Sequence, residues 1–279
     1  MKSTFPWLPA GPALLFAPAD RPDRFEKALE RADGVIVDLE DGAAVDGHEE
    51  ARQNILENPL PRERTILRIT GPGTPTFAED VKFAHQAPYD VVMVPKIRSE
   101  VPAELAGLKI IAMIETPEAV INIKEIAQHP SVVGLFWGAE DLAAELGGTT
   151  SRLTEKENPL RPYRDPQRLA RTLMIMHAAA AGIATIDAVH VDFRDDEGQY
   201  LEALDAAGCG FAATACIHPA MVPAVRRAYM PSEEELARAK AIVERANDEV
   251  GAFQLDGEMI DMPVVKQARI TVARAGQSV

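Results

Sequence analysis

Short apolar runs rich in β-branched residues alternate with longer segments of helical period along most of the chain. The runs are Leu14–Ala17, Val35–Leu39, Ile66–Ile69, Val91–Val94, Ile110–Ile114, Val132–Trp137, Ala184–Val189 and Phe211–Ile217. Between them the spacing predicts helices over Arg24–Arg31, Glu49–Glu57, Phe77–His85, Pro117–Gln128, Pro166–Ala181, Glu197–Ala207 and Pro219–Tyr229, with a weaker pattern over Ser99–Leu105. Most runs are apolar throughout, which suits strands buried on both faces of a parallel sheet. Eight β–α units within about 220 residues predict a TIM (β/α)8 barrel. A doubly wound open sheet is the other arrangement of such units, but no GxGxxG follows the first run.

One stretch breaks the alternation. Gly147–Tyr163 is polar, with two glycines and two prolines, and reads as a long loop after the sixth run. Beyond Tyr229, Ser232 and Glu235 form a capping-box pattern that opens a helix over Ser232–Val250. Gly251–Asp261 reads as irregular and Met262–Ala275 as helical. The expected organisation is a barrel over 1–230 and a C-terminal helical extension over 231–279 that packs outside the barrel or on a neighbour.

Composition narrows the function classes. Of 279 residues, 29 are Lys or Arg and 43 Asp or Glu, a net charge of −14. Nucleic acid needs clustered basic residues, so it is not the expected partner. No apolar run has the roughly 20 residues of a transmembrane helix, and 1–10 lacks the basic-then-apolar layout of a signal peptide. The two cysteines, Cys209 and Cys216, are too few for a disulfide scaffold. A cytoplasmic protein without a membrane partner is expected.

Catalytic groups of a TIM barrel sit at the C-terminal ends of its strands. The polar residues there are Asp38, Glu40 and Asp41, then Arg68, Lys96, Glu115, the pair Glu140 and Asp141, His190 with Asp192, and His218. The set is rich in hard oxygen donors, which favours Mg²⁺ or Mn²⁺ over Zn²⁺, and Glu115 with Asp141 fits best. The alternative is that Asp141 caps a helix Leu142–Leu146 and Glu115 only precedes a helix start. Arg68 is either a clamp for a substrate carboxylate or a structural partner of Asp38 or Glu40. Lys96 has the same two roles open, and a Schiff base is a remote third. At strand spacing Asp38 and Glu40 point the same way, which calls for a cation beside them, while Asp41-Gly42 also reads as a simple turn. His177 reads as packed in its helix, and His48, His85 and His129 as surface residues. Cys216 has no activating partner in the sequence, and Asp261 before Met262-Pro263 reads on spacing as a helix N-cap.

The chain also resembles the citrate lyase β-subunit-like, stand-alone acyl-CoA lyase branch of the HpcH/HpaI aldolase superfamily. The resemblance rests on Phe16-Ala-Pro-Ala-Asp-Arg-Pro-Asp-Arg-Phe25, Val37-Asp-Leu-Glu-Asp-Gly42, Leu67-Arg-Ile69, Val94-Pro-Lys96, Ile114-Glu-Thr116, Trp137-Gly-Ala-Glu-Asp-Leu142, Ala184-Thr-Ile-Asp-Ala188, Cys216-Ile-His-Pro219 and Met259-Ile-Asp-Met-Pro263. It implies a barrel that binds Mg²⁺ through Glu115 and Asp141. It further implies that Arg68 holds the keto-acid end of the substrate and that Phe16, Arg21, Arg24, Lys27 and Lys96 contribute to the substrate and coenzyme A sites. It implies a homotrimer or dimer of trimers in which Asp261 reaches a neighbouring subunit's site as acid or base, a role that displaces the plain N-cap. Two positions depart from the pattern: Thr70, where many relatives have Asn, and Arg98, where relatives often have Glu.

The activity so implied is Mg²⁺-dependent cleavage of a 3-hydroxyacyl-CoA to acetyl-CoA and a keto acid, with Arg68, Asp261, Glu40 and Asp41 in the catalytic set. The candidate substrates are citramalyl-CoA, 3-hydroxy-3-methylglutaryl-CoA and citryl-CoA. Malyl-CoA lyase or thioesterase chemistry on the same scaffold, a free-pyruvate aldolase and a non-catalytic acyl-CoA-binding protein are the alternatives.

Overall fold

The computed structural model describes residues 5–43, 47–158, 160, 162–248 and 251–276. Eight strands close into a barrel in chain order: β1 (Ala13–Pro18), β2 (Gly34–Asp38), β3 (Thr65–Arg68), β4 (Val91–Val94), β5 (Lys109–Ile114), β6 (Val132–Trp137), β7 (Ala184–Asp187) and β8 (Ala213–Cys216). Every neighbouring pair is parallel, including β8 with β1. The helices α1 (Phe25–Arg31), α2 (His48–Glu57), α3 (Phe77–Ala84), α4 (Pro117–Ile121), α5 (Ile123–Ala127), α6 (Ala139–Glu145), α7 (Asp165–Ala181), α8 (Asp196–Cys209) and α9 (Val222–Tyr229) follow the strands. The fold is the expected TIM-type barrel.

The barrel is filled by side chains. Leu14, Ile36, Ile66, Met93, Ile111, Phe136, Ile186 and Ala213 form one buried cluster, with Phe16 and Val189 packed on it. Because strand side chains alternate, a residue two positions after an interior one also faces inward. Phe16, Asp38, Arg68 and Met113 therefore form the next layer toward the C-terminal end, with Glu115 one layer further along β5.

Two helices differ from the sequence reading. The helix expected over Pro117–Gln128 is broken at Asn122, whose side-chain amide donates to the Glu118 carbonyl (2.8 Å). Asn competes with the helix in this way by bonding to nearby backbone. The segment Ser99–Leu105 yields only a 3-10 turn, Ala103–Leu105, because Pro102 holds Val101 out of the helical region.

The chain divides into two compact units, Ser3–Val225 and a C-terminal one from Arg226 onward. The C-terminal unit contains α10 (Glu233–Asp248), β9 (Phe253–Leu255), β10 (Glu258–Ile260) and α11 (Met262–Arg274), around a cluster of Ala239, Ile242, Phe253, Ile260, Val265, Ala268 and Val272. Gly251–Asp261, expected to be irregular, contains the antiparallel hairpin β9–β10. Its turn is Asp256-Gly257, with φ of +50° and +86°. Asp-Gly favours the two-residue hairpin turn that needs positive φ at both positions. Among the described residues no helix is long and apolar enough to cross a membrane.

Candidate active site

The sequence places acidic and basic residues at several strand ends, and the barrel brings them to one mouth. Asp38 and Arg68 are register partners on β2 and β3, so their side chains leave the sheet side by side. Arg68 Nε donates to Asp38 Oδ1 at 2.6 Å and Nη2 to Asp38 Oδ2 at 2.7 Å, a bidentate pair. Nη1 lies 2.9 Å from Glu40 Oε2, and Nη2 3.2 Å from Asp41 Oδ2. The guanidinium also lies 4.7 Å from the Phe16 ring centroid. Burial alone would lower the Arg68 pKa, but Asp38, Glu40 and Asp41 raise it overall. The structural pairing of Arg68 is therefore real, and it fixes the side chain at the cavity wall rather than removing it from the site. Asp38 and Glu40 point to the same side, as strand spacing predicted.

Glu40 bridges two cations. Its Oε1 accepts from Lys96 Nζ at 2.6 Å while Oε2 faces Arg68. Burial nevertheless raises its pKa, against the pull of Arg68 and Lys96. Lys96 Nζ also lies 3.7 Å from Asp141 Oδ1. Lys96 has φ +53°, in the left-handed region that costs a residue with a Cβ about 1 kcal/mol or more. In that conformation its backbone N–H donates to Glu115 Oε1 at 2.7 Å.

Glu115 directly follows β5 and precedes Thr116, which caps α4 by accepting the Ala119 N–H at 3.1 Å. Glu115 is 1% exposed, and its Oε2 has no hydrogen-bond partner. Burial first, then Asp141 and Glu40, push its pKa up to about 8. A Cβ on Gly138 would come 2.8 Å from the Glu115 Cβ, so glycine keeps room for this carboxylate. Asp141 lies in the first turn of α6, and Gly138 rather than Asp141 is the N-cap residue. Its side chain is about half exposed and lines the same cavity as Glu115.

These two carboxylates fit a hard dication. An orphaned carboxylate oxygen and a second carboxylate leave the remaining coordination to substrate and water, the common Mg²⁺ arrangement. No cluster of three or more His, Cys, Asp or Glu able to cage a metal occurs among the described residues.

The cavity at this mouth holds about 810 Å³. Asp38, Asp41, Arg68, Glu115 and Asp141 line it together with the apolar Met113, Phe136, Ala188, Val189 and Ile217. Arg24, Lys27 and Arg31 reach it from the turn Pro22–Arg24 and α1. Spacings of three and four residues put them on one helical face. Arg31 escaped the sequence reading, although its i+4 spacing from Lys27 was the available signal. Arg21 instead pairs with Asp23 at 3.1 Å in solvent and does not line the cavity.

Other expectations resolve locally. His48, read as a surface residue, is buried, with Nδ1 3.6 Å from Asp80. Fully buried Asp80 also accepts from Arg52 and from the Thr70 hydroxyl at 2.7 Å. Thr70 is thus engaged away from the cavity. Cys216 is buried on β8. The loop Gly147–Tyr163 is pinned by Arg152, whose guanidinium bonds Glu140 and Glu202, both at 2.9 Å, and stacks on Tyr163. His190 Nδ1 lies 3.1 Å from Glu202. The sequence did not reveal this network, because its members are far apart along the chain. Asp261 caps α11, accepting the Val264 N–H at 3.4 Å.

Residues 13–219 match the model of the HpcH/HpaI aldolase/citrate lyase family. The chain belongs to this family. It is 44% identical over 270 residues to a citrate lyase subunit beta-like protein of Mycobacterium tuberculosis, covering 96% of this chain and 97% of that one. It is 30% identical to a (3S)-malyl-CoA thioesterase of Cereibacter sphaeroides, covering 94% of each. The crystal structure of CitE from Mycobacterium tuberculosis in complex with magnesium, acetoacetate and coenzyme A superposes with a TM-score of 0.88 at 44% identity, covering 96% of this chain and 99% of that one. The family is one of lyases, and a related structure at 44% identity holds magnesium and coenzyme A.

Proposed function

We propose that the protein is a Mg²⁺-dependent carbon–carbon lyase that cleaves a 3-hydroxyacyl-CoA to acetyl-CoA and a keto acid. The observation that carries this reading is the buried, unpartnered Glu115 Oε2 on a wall shared with Asp141 and Arg68. The magnesium, acetoacetate and coenzyme A held by the related CitE structure support it. Bound by Glu115 and Asp141, Mg²⁺, or Mn²⁺ on the same donors, would stabilise charge developing on the keto-acid oxygens.

The protein's own groups do the rest. Arg68, held rigid by Asp38 and Glu40, orients the keto-acid end through its charge and the second N–H of Nη1, the one not directed at Asp38, Glu40 or Asp41. Asp41, on the cavity wall and 76% exposed, takes the proton of the 3-hydroxyl. The C3–O bond becomes a carbonyl as the C2–C3 electron pair moves to C2. The resulting thioester enolate accepts a proton at C2, a task for Asp261 of a neighbouring subunit in a homotrimer or dimer of trimers. Arg24, Lys27 and Arg31 provide cations for the coenzyme A phosphates. Phe16 braces Arg68, and Lys96 holds Glu40 beside it.

The test is turnover of citramalyl-, 3-hydroxy-3-methylglutaryl-, citryl- and malyl-CoA with and without EDTA, products followed by mass spectrometry. Acetyl-CoA with an equimolar keto acid, lost with EDTA, is expected. Glu115→Ala should abolish the Mg²⁺-dependent rate without lowering the melting temperature. A normal rate in that variant would remove the metal assignment. The similarity to a malyl-CoA thioesterase favours one second reading, thioester hydrolysis, which the same assay would show as free coenzyme A.

A further inference from the structure

Among the described residues, six carboxylates line the cavity at the barrel mouth: Asp23, Asp38, Asp41, Glu115, Glu140 and Asp141. Mg²⁺ bound with substrate and water takes one or two of them. Arginines hold four of the six. Arg21 pairs with Asp23, and Arg68 with Asp38 and Asp41. Glu140 goes to Arg152, which does not itself line the cavity.

Glu140 and Asp141 are neighbours in the first turn of α6, and their side chains are equally open, 45% and 47% exposed. Their contacts separate them. Glu140 Oε1 accepts the Ser151 hydroxyl at 2.5 Å and Arg152 Nη1 at 2.9 Å. Asp141 Oδ1 has Lys96 Nζ at 3.7 Å, beyond hydrogen-bond reach. Arg152 is itself fixed, because every N–H of its guanidinium has an acceptor. Nε and Nη2 donate to Glu202, both at 2.9 Å, and Nη2 also to the Tyr163 hydroxyl at 2.5 Å. Nη1 serves Glu140 and Ser151 Oγ. The Arg152 side chain is 7% exposed, and Ser151 is buried. A guanidinium so saturated has no donor left for substrate. Its effect at the cavity is on where Glu140 points.

Resting on the assignment of a dication to Glu115 and Asp141, we propose that Ser151 and Arg152 form a latch on Glu140. The latch keeps that carboxylate out of the metal's coordination and so makes the site prefer Mg²⁺ to Ca²⁺. Arg152 is a positioning residue that acts through Glu140. Released, Glu140 would add a third carboxylate on a longer side chain. Ca²⁺ accepts about six to eight oxygens in loose geometry, whereas Mg²⁺ demands a compact octahedron and retains its waters. A third, flexible carboxylate thus strengthens Ca²⁺ binding more than Mg²⁺ binding.

The experiment measures dissociation constants for Mg²⁺ and Ca²⁺ by calorimetry on the full chain, with melting curves to verify folding. Wild-type protein should bind Mg²⁺. Glu140→Gln should leave that affinity unchanged, whereas Asp141→Asn should lose it. Arg152→Lys cannot span Glu202 and Glu140 together, and should raise Ca²⁺ affinity relative to Mg²⁺ by about 10-fold. Adding Glu140→Gln to Arg152→Lys should restore the wild-type ratio, which it would not do if Arg152 only braced the loop. Ser151→Ala leaves the Arg152–Glu202 pair intact, should shift the ratio the same way, and serves if Arg152→Lys does not fold. An unchanged ratio in the folded variants, or a shift that Glu140→Gln does not reverse, overturns the latch and leaves the metal assignment standing. Loss of Mg²⁺ affinity in Glu140→Gln makes Glu140 a ligand and also overturns the latch. Wild-type protein that binds no Mg²⁺ overturns the metal assignment, and the latch with it.

Discussion

Glu115 and Gly138 act as a pair. One brings a carboxylate out of β5, and the other leaves it room by having no side chain. Gly138 has φ −104°, which any residue tolerates, so the requirement is steric rather than conformational. Gly138→Ala should therefore displace the carboxylate more than it unfolds the protein. The expected outcome is a loss of about 100-fold in kcat/KM with a change in stability near 1 kcal/mol, on the scale of small misplacements at a reacting centre. Calorimetric melting and steady-state rates on the same preparation check both halves. Arg68 shows the same dependence on neighbours. In the sequence it was equally a clamp or a structural partner, and the contacts make it structural on its Asp38 side and available at the cavity wall.

At the scale of elements, Arg152, Glu202 and His190 tie three segments together: the loop after α6, α8, and the segment between β7 and α8. Burial raises the Glu202 pKa, but His190 and Arg152 outweigh it and bring the carboxyl down to about 2. Tyr163, Glu140, Ser151 and Asp195 are further polar groups around this network. A depressed folded-state pKa gives stability that is present above the unfolded value of about 4.3 and lost as pH falls through the folded one. Glu202→Gln should accordingly cost about 2 kcal/mol at neutral pH. It should also flatten the acid limb of stability between roughly pH 4.3 and 2. Denaturant unfolding of both proteins across that range checks it, and parallel acid limbs would count against this role for Glu202.

At the scale of the whole molecule, the C-terminal unit carries Asp261 as the N-cap of α11. Capping engages one oxygen of the carboxylate and leaves the other for chemistry. If a neighbouring subunit supplies this group, Asp261→Asn and Glu115→Gln should each be inactive alone. Mixed after dissociation and reassembly, they should regain a substantial fraction of wild-type activity, because some sites then combine an intact Glu115 with an intact Asp261. No recovery in verified mixed oligomers would place Asp261 outside the neighbour's chemistry.

The sequence by itself determined the barrel, because eight buried parallel strands need apolar runs that stand out locally. It also determined that acidic and basic residues collect at the strand ends, since strand boundaries are visible in the same pattern. The hairpin turn at Asp256-Gly257 was equally local and went unread among polar neighbours. Tertiary structure alone decided which of these groups are partners. Arg68 chose Asp38 through strand register, and Glu115 kept a free oxygen because Gly138 on the next strand's exit made space. Arg152 met Glu202 fifty positions away. Register and packing between distant segments set such contacts, and neither leaves a period in the chain that could be read in advance.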